Sequence, residues 1–236
     1  MRPKSLRVSA VKILTAIKGK LIVSCQATKG DPLDDLDTLC RLTTAVLRGG
    51  AAGLRAEGRQ CLSAFRKLTP LPIIGLVKMP DSSGEPHITP SFAAAKVASD
   101  AGADVIAVDC TRRRLSEPEP WPTFIPRIRA ELERGVCADI ASLEDAVLAQ
   151  TAGVDMIATT LRGYTSDTQG IRWVDWPFLT ELLSTVRVPV ILEGYVTSPD
   201  EVRRALSLGI HAVVVGSAIT RPQSITERFV NATILT

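Results

Sequence analysis

Short apolar runs that stop at a polar residue or a glycine alternate along the chain with longer segments of helical period. That order predicts eight strands, over residues 21–25, 53–56, 73–77, 105–108, 136–138, 156–159, 190–192 and 212–215. Helical patterns fall between them, among others at 34–48, 91–101, 123–134, 142–152 and 199–208. Several stop before a glycine suited to a helix C-terminus: Gly49, Gly102, Gly135, Gly153 and Gly209. The related endings Ala101-Gly102-Ala103-Asp104 and Ala152-Gly153-Val154-Asp155 read as turns from helix into strand.

Alternation of this kind suits a closed α/β barrel and an open doubly wound sheet equally. The polar residues separate the two. Gln26, Arg55, Lys78, Asp109, Asp139, Thr159 and Glu193 lie at or near the C-terminal ends of successive predicted strands. A closed barrel brings such residues to one mouth, whereas an open sheet strings them along an edge. The expected fold class is therefore α/β, a single (β/α)8 TIM barrel of the phosphate-binding type. One barrel domain is expected over 1–236, with an extra N-terminal helix before Lys20 that closes its bottom. The Pro-, Ser- and charge-rich stretches 79–90 and 110–122 are expected to cover the mouth.

A length of 236 residues is within the range of one such barrel. With 45% hydrophobic but only 4% aromatic residues, the core is expected to be built from Val, Ile, Leu and Ala. The 28 basic and 25 acidic residues are interspersed, without a basic tract interleaved with aromatics, which argues against a nucleic-acid partner. Cys25, Cys40, Cys61, Cys110 and Cys137 form no CxxC pair, and His87 and His211 are too few for most clustered metal sites. A reducing cytoplasm is the expected location. Lys12, Lys18 and Lys20 interrupt the stretch behind Arg2, Lys4 and Arg7, so no secretory signal core is expected. No apolar run approaches the roughly 18 residues of a membrane span, and no membrane partner is expected.

Lys78 follows the apolar run Ile73-Ile74-Gly75-Leu76-Val77, where a lysine is costly unless it faces a polar cavity. Partial desolvation would lower its pKa and make the amine a general base. A lysine that simply points to solvent is the competing reading. Glu193 closes Val190-Ile191-Leu192 and could orient Lys78 or move a hydroxyl proton, or serve a structural ion pair with Arg55 or Lys78. Asp139, after Val136-Cys137-Ala138, carries the same two readings. Arg55 and Glu57 alternate along one strand and so share a face, either to meet substrate oxygens or to pair with each other. Gln26 can donate and accept at once beside a sugar.

Glycines Gly163, Gly194 and Gly216, the last followed by Ser217, lie late in the chain where backbone N–H groups can approach an anion. Taken singly each is a turn residue; together they suggest a phosphate site, with Arg221 adding charge or capping a helix. Arg112-Arg113-Arg114 reads as a solvated loop or subunit contact, and His87 as an exposed loop histidine in preference to a lid residue.

The segments Leu21-Ile22-Val23-Ser24-Cys25-Gln26-Ala27, Ile74-Gly75-Leu76-Val77-Lys78 and His87-Ile88-Thr89-Pro90 resemble the first half of the N-acetylmannosamine-6-phosphate 2-epimerases. In the second half, Ala138-Asp139-Ile140, the run from Thr159 to Thr165, Leu192-Glu193-Gly194 and the run from Val213 to Pro222 match that family in order. The resemblance implies a metal-independent epimerase of bacterial sialic-acid breakdown. It implies Lys78 as the acid/base residue assisted by Glu193, with Gln26, Arg55, Asp139 and Arg221 as substrate contacts. Two departures stand out: Tyr195 where the family usually has Arg, and His87 where it usually has Tyr.

The implied reaction removes the C2 proton of the open-chain sugar, forms an enediolate, and returns a proton to the other face. Because the substrate carries its own carbonyl and no redox change occurs, no cofactor is required. A Schiff-base aldolase or synthase using Lys78, and a non-catalytic sugar-phosphate sensor, remain as alternatives. A homodimer paired through outer helices is the expected assembly.

Overall fold

Each apolar run sends alternate side chains to opposite faces, and here both faces are buried. The computed structural model describes residues 4–28, 30–80 and 86–234. Strands β1 (Leu21–Ser24), β2 (Gly53–Glu57), β3 (Ile73–Leu76), β4 (Val105–Asp109), β5 (Gly135–Asp139), β6 (Met156–Ala158), β7 (Val190–Glu193) and β8 (Ala212–Val215) form a closed parallel barrel in chain order. β1 closes on β8 with Leu21 opposite Val213.

Ile22, Ile74, Leu76, Val105, Ala107, Met156, Ala158, Ile191 and Val214 point inward and fill the barrel. Their neighbours Val23, Leu54, Ile73, Ile106, Val136, Ile157, Leu192 and Val213 point outward under the helices, against Leu62, Phe65, Phe124, Ile128 and Leu182. This two-sided burial explains why the strands read as continuous apolar runs rather than as alternating ones.

The helices that follow are α2 (Leu36–Arg48), α3 (Arg59–Leu68), α4 (Phe92–Asp100), α5 (Trp121–Glu131), α6 (Leu143–Ala152), α7 (Trp176–Thr185), α8 (Pro199–Leu208), α9 (Ser217–Thr220) and α10 (Pro222–Asn231), after α1 (Lys4–Ile17). α6 and α8 each begin with a capping box, Ser142 with Asp145 and Ser198 with Glu201, and end on left-handed Gly153 and Gly209. Two predicted helix ends need correction. Gly135 is the first residue of β5; α5 starts two residues early, because Pro122 suits its first turn, and ends at Glu131 with Leu132 as its cap, after which Glu133 takes the left-handed turn at φ 53°. Gly49 is right-handed at φ −72°, and the left-handed residue is Gly50 at φ 95°.

At the N-terminal end of the strands, Ile17 of α1 joins the inner cluster, with Ile13 and Leu14 against it. A His211 ring nitrogen lies 2.9 Å from the Leu14 carbonyl oxygen. At the opposite end, the segment Lys78–Pro80 pairs antiparallel with Pro86–Ile88, while residues 81–85 of the expected lid lie outside the described ones.

The neighbouring loop carries a short 3-10 helix, Arg112–Ser116. Arg114 is not solvated as expected: it is 2% exposed, donates to the Pro90 carbonyl oxygen at 2.9 Å and pairs with Glu117 at 2.9 Å. The two mouth loops are thereby joined. His87, expected as an exposed loop residue, is buried at 5% exposure.

Candidate active site

Following the inward-facing positions up each strand, past the apolar layers, gives Ser24 on β1, Arg55 and Glu57 on β2, Asp109 on β4, Asp139 on β5 and Glu193 on β7. The same alternation carries from Leu76 to Lys78 and from Ala158 to Thr160. Strand parity, continued two residues past the ends of β3 and β6, gathers a lysine, an arginine, a threonine and several carboxylates at one mouth.

Arg55 is the hub. Its guanidinium is 1% exposed; Nη2 donates to Asp139 Oδ2 at 2.5 Å, and Nη1 stands 3.1 Å from Glu193 Oε2. The Thr160 hydroxyl lies 2.7 Å from Asp139 Oδ1 and 3.1 Å from Glu193 Oε2, and so links the two acids. The Nη1 contact with Glu193 is close but poorly aligned, so Nη1 and Nε both lack a hydrogen-bond acceptor. Buried N–H groups without acceptors are uncommon and cost about 1–3 kcal/mol each. Oxygen atoms of a bound molecule would satisfy them.

Burial works against every charge here. It pushes the Glu193 carboxyl up, against the pull of Arg55 and with added repulsion from Asp139, to about 7. Asp139 is also pushed up by burial, with Arg55 opposing. Arg55 itself stays protonated, because Asp139 and Glu193 outweigh its own desolvation. Burial lowers the Lys78 amine below the ordinary lysine range; Glu57 and Glu193 pull the other way, and Arg55 and Arg221 add to the lowering.

The remaining predicted residues flank this centre. Gln26 Nε2 donates to Ser24 Oγ at 2.9 Å. Arg221 directly precedes α10 without a side-chain capping bond, and its guanidinium holds Asp31 loosely at 3.8 Å. Between the loop after β1 and the start of α10 lies a cavity of about 480 Å³, lined by Thr28, Asp31, Leu33, Arg221, Gln223 and Ser224. Gly216 precedes α9, whose first turn leaves the Ser217 and Ala218 N–H groups without intrahelical acceptors. The Thr220 hydroxyl ties α9 to β1 through the Ser24 carbonyl oxygen at 3.0 Å.

Gly194 is left-handed at φ 109° directly after Glu193. Gly163 has a different task from the one expected: its N–H donates to Thr168 Oγ1 at 2.8 Å and its carbonyl oxygen accepts from Arg172 at 2.7 Å. An added Cβ there would meet the Ile171 carbonyl oxygen and, at 2.9 Å, the Tyr195 ring. Gly163 is a packing and turn glycine, and its N–H is not free for an anion.

The two departures noted in the sequence have structural settings. Tyr195 takes φ 56°, rare for a bulky residue, and stacks on Tyr164 with ring centroids 5.2 Å apart. Its hydroxyl accepts from Arg172 at 3.0 Å. His87 lies across the hairpin from Met79, one position removed from the Lys78 and Ile88 pair.

Thr160, rather than the expected Thr159, is the residue that joins the cluster. The Thr159 hydroxyl donates to the Glu193 carbonyl oxygen at 2.9 Å and accepts from the Glu193 N–H at 3.1 Å, so it braces β7 from outside the mouth. Counting alternate residues from Met156 would have found Thr160. Among the described residues no group of three or more His, Cys, Asp or Glu is arranged to hold a metal ion.

Comparison with known proteins supplies an independent line. The family model described as "Putative N-acetylmannosamine-6-phosphate epimerase" matches residues 39–234. A relative from Clostridium perfringens strain SM101, named with the same qualifier an N-acetylmannosamine-6-phosphate 2-epimerase, is 40% identical over 92% of this chain and 98% of its own. One of the same name from Clostridioides difficile strain 630 is 39% identical over 93% of this chain and 98% of its own. The solved structure of the N-acetylmannosamine-6-phosphate 2-epimerase from Clostridium perfringens superposes with TM-score 0.88 at 39% identity, covering 93% of this chain and 95% of that one. A thiamine phosphate pyrophosphorylase from Pyrococcus furiosus, at TM-score 0.61 and 17% identity, shares the fold alone.

Proposed function

We propose, from the premise that the chain belongs to the N-acetylmannosamine-6-phosphate epimerase family, that it interconverts N-acetylmannosamine 6-phosphate and N-acetylglucosamine 6-phosphate by moving the proton at C2. The observation that carries this reading is the inward-facing Lys78, its amine held below the ordinary lysine range by burial beside the Arg55, Asp139 and Glu193 cluster.

In the open-chain sugar, the C1 aldehyde makes the C2 hydrogen acidic. Lys78, as the neutral amine, takes that proton; the C2–H electron pair moves into the C1–C2 bond, and the negative charge settles on O1. Arg55 supplies the cation for that charge, through the N–H groups that lack acceptors. With the phosphate end held, the planar C1–C2 unit turns about the C2–C3 bond, and Lys78 then returns a proton to the opposite face of C2. Glu193, its carboxyl pushed up to about 7, accepts the anomeric hydroxyl proton as the C1–O5 bond breaks and passes it to O5, which leaves as the hydroxyl, and it reverses both transfers on closure. Asp139 and Thr160 hold Arg55 and Glu193 in place, and Gln26 and Arg221 meet the sugar and its substituents. Phosphate sits against Gly194, Gly216 and Ser217, which fixes the far end of the molecule and limits the freedom of C2 relative to Lys78.

Two further features belong to the same reading. No α10 residue is buried, and Phe229 (73% exposed), Val230 (53%) and Ile234 (65%) leave an apolar strip that suits a second copy of the chain. Sedimentation should give twice the 25.3 kDa chain mass, and a monomer at micromolar concentration would contradict it. Free cysteines at all five positions suit the cytoplasm. The test of function is incubation with N-acetylmannosamine 6-phosphate, followed by proton NMR. Appearance of N-acetylglucosamine 6-phosphate is expected, and an unchanged spectrum would refute the reading.

A further inference from the structure

Glu57 is the last residue of β2, two positions above Arg55, so its side chain leaves the strand toward the same inward face. In register it lies opposite Leu76 of β3, and Lys78 is the next inward position above Leu76. Neighbouring strands are about 4.8 Å apart, and two residues rise about 6.6 Å, a separation that a glutamate and a lysine side chain together span. Glu57 is partly buried, as Lys78 is. Asp139 and Glu193 are both engaged by Arg55. Glu57 has no hydrogen bond or ion pair among the described residues, and neither has the Lys78 amine.

The charged groups that act on Lys78 are Glu57 and Arg55 from β2, Glu193 from β7 and Arg221 at the start of α10; of these, Glu57 acts most strongly. Two of the four are cations. An ammonium formed at Lys78 therefore depends on its carboxylate neighbours, and Glu193 is shared with Arg55.

We propose that Glu57 is the counter-charge of Lys78, a positioning residue that holds the lysine's ammonium form at the mouth of the barrel. This rests on the reading of Lys78 as the base. The C2 proton passes to Nζ, the electron pair stays with the sugar as the enediolate, and the ammonium is kept within reach of C2 until the proton returns.

The test is Glu57→Gln in the full chain, with Lys78 titrated directly by 15N NMR of labelled lysine and its signal identified by its loss in Lys78→Arg. Lys78 should titrate at lower pH in Glu57→Gln than in the wild type, and Glu57→Asp should fall between. The acid limb of kcat/KM should move down with it, and the rate on that limb, relative to the plateau, should rise about tenfold per unit moved. A purely structural Glu57 would lower the melting temperature and leave the titration where it was. An unmoved Lys78 titration in a folded Glu57→Gln or Glu57→Asp protein overturns the proposal. A titration that moves while the acid limb stays put supports the counter-charge and removes Lys78 from the chemistry, so the two failures are told apart.

Discussion

The floor and the mouth of the barrel are built by the same alternation of inward and outward residues, yet they hold opposite kinds of side chain. At the floor, Ile17, Ile22, Val105, Met156 and Ala212 are at most 1% exposed and belong to one apolar cluster. At the mouth, on β2 and β5, Arg55 and Asp139 are just as buried but charged, and two guanidinium nitrogens of Arg55 lack acceptors. Burial of a large aliphatic side chain contributes about 1.5–3 kcal/mol. A buried ion pair spends most of its attraction on desolvation. The comparison teaches that strand parity decides what faces the axis, whereas height along the strand decides whether that residue stabilises the fold or serves the chemistry.

The largest expected break is Arg55→Ala, which leaves Asp139 and Glu193 buried without their cation. Urea denaturation should show a loss of about 3–5 kcal/mol, and turnover should fall about 10²–10³-fold. Wild-type stability in this variant would erase the distinction between the two ends. Ile22→Ala attacks the floor alone: about 2–5 kcal/mol of stability should go while kcat and KM stay within twofold of wild type.

Glu193→Gln sharpens the comparison through pH. Its raised pKa means that the wild-type carboxylate must ionise to accept a proton, so activity should fall as pH drops through about 7. The variant should lose that step of the pH profile and keep the acid-side step set by the Lys78 amine. The same shift has the opposite sign for stability. The folded protein holds this proton when the unfolded chain has released it, so the site loses stability as pH rises from the ordinary glutamate range through about 7. Thermal melts should show Glu193→Gln gaining on the wild type between pH 5 and pH 8. The smallest effect is expected for Tyr195→Phe, which removes one exposed bond to Arg172. It should cost about 1 kcal/mol or less, with a few-fold change in KM by steady-state kinetics.

Much of this was legible before any coordinates. The strand at Ala212–Val215 and the helix at Pro199–Leu208 match their predicted bounds, because an unbroken apolar run and a Ser-Pro start with a glycine stop are local signals. Polar residues at strand ends pointed to the mouth for the same reason. Illegible were the facts that depend on partners distant in sequence. Gly163 could not be told from an anion-binding glycine until Thr168 was seen to take its N–H. Arg114 reads as one of three solvated arginines until Pro90 and Glu117 are placed beside it. Thr160 was recoverable by strict counting, but the strand reaches only Ala158, and parity beyond a strand's last residue is weakly encoded.

The central claim is that Lys78 moves the C2 proton, and solvent exchange reads that step directly. In heavy water, wild-type protein should replace the C2 hydrogen of both sugar phosphates with deuterium, seen as loss of the C2 proton signal by NMR. Lys78→Ala, with an unchanged melting temperature, should exchange about 10²–10⁴-fold more slowly. Exchange at the wild-type rate in that variant would contradict the account.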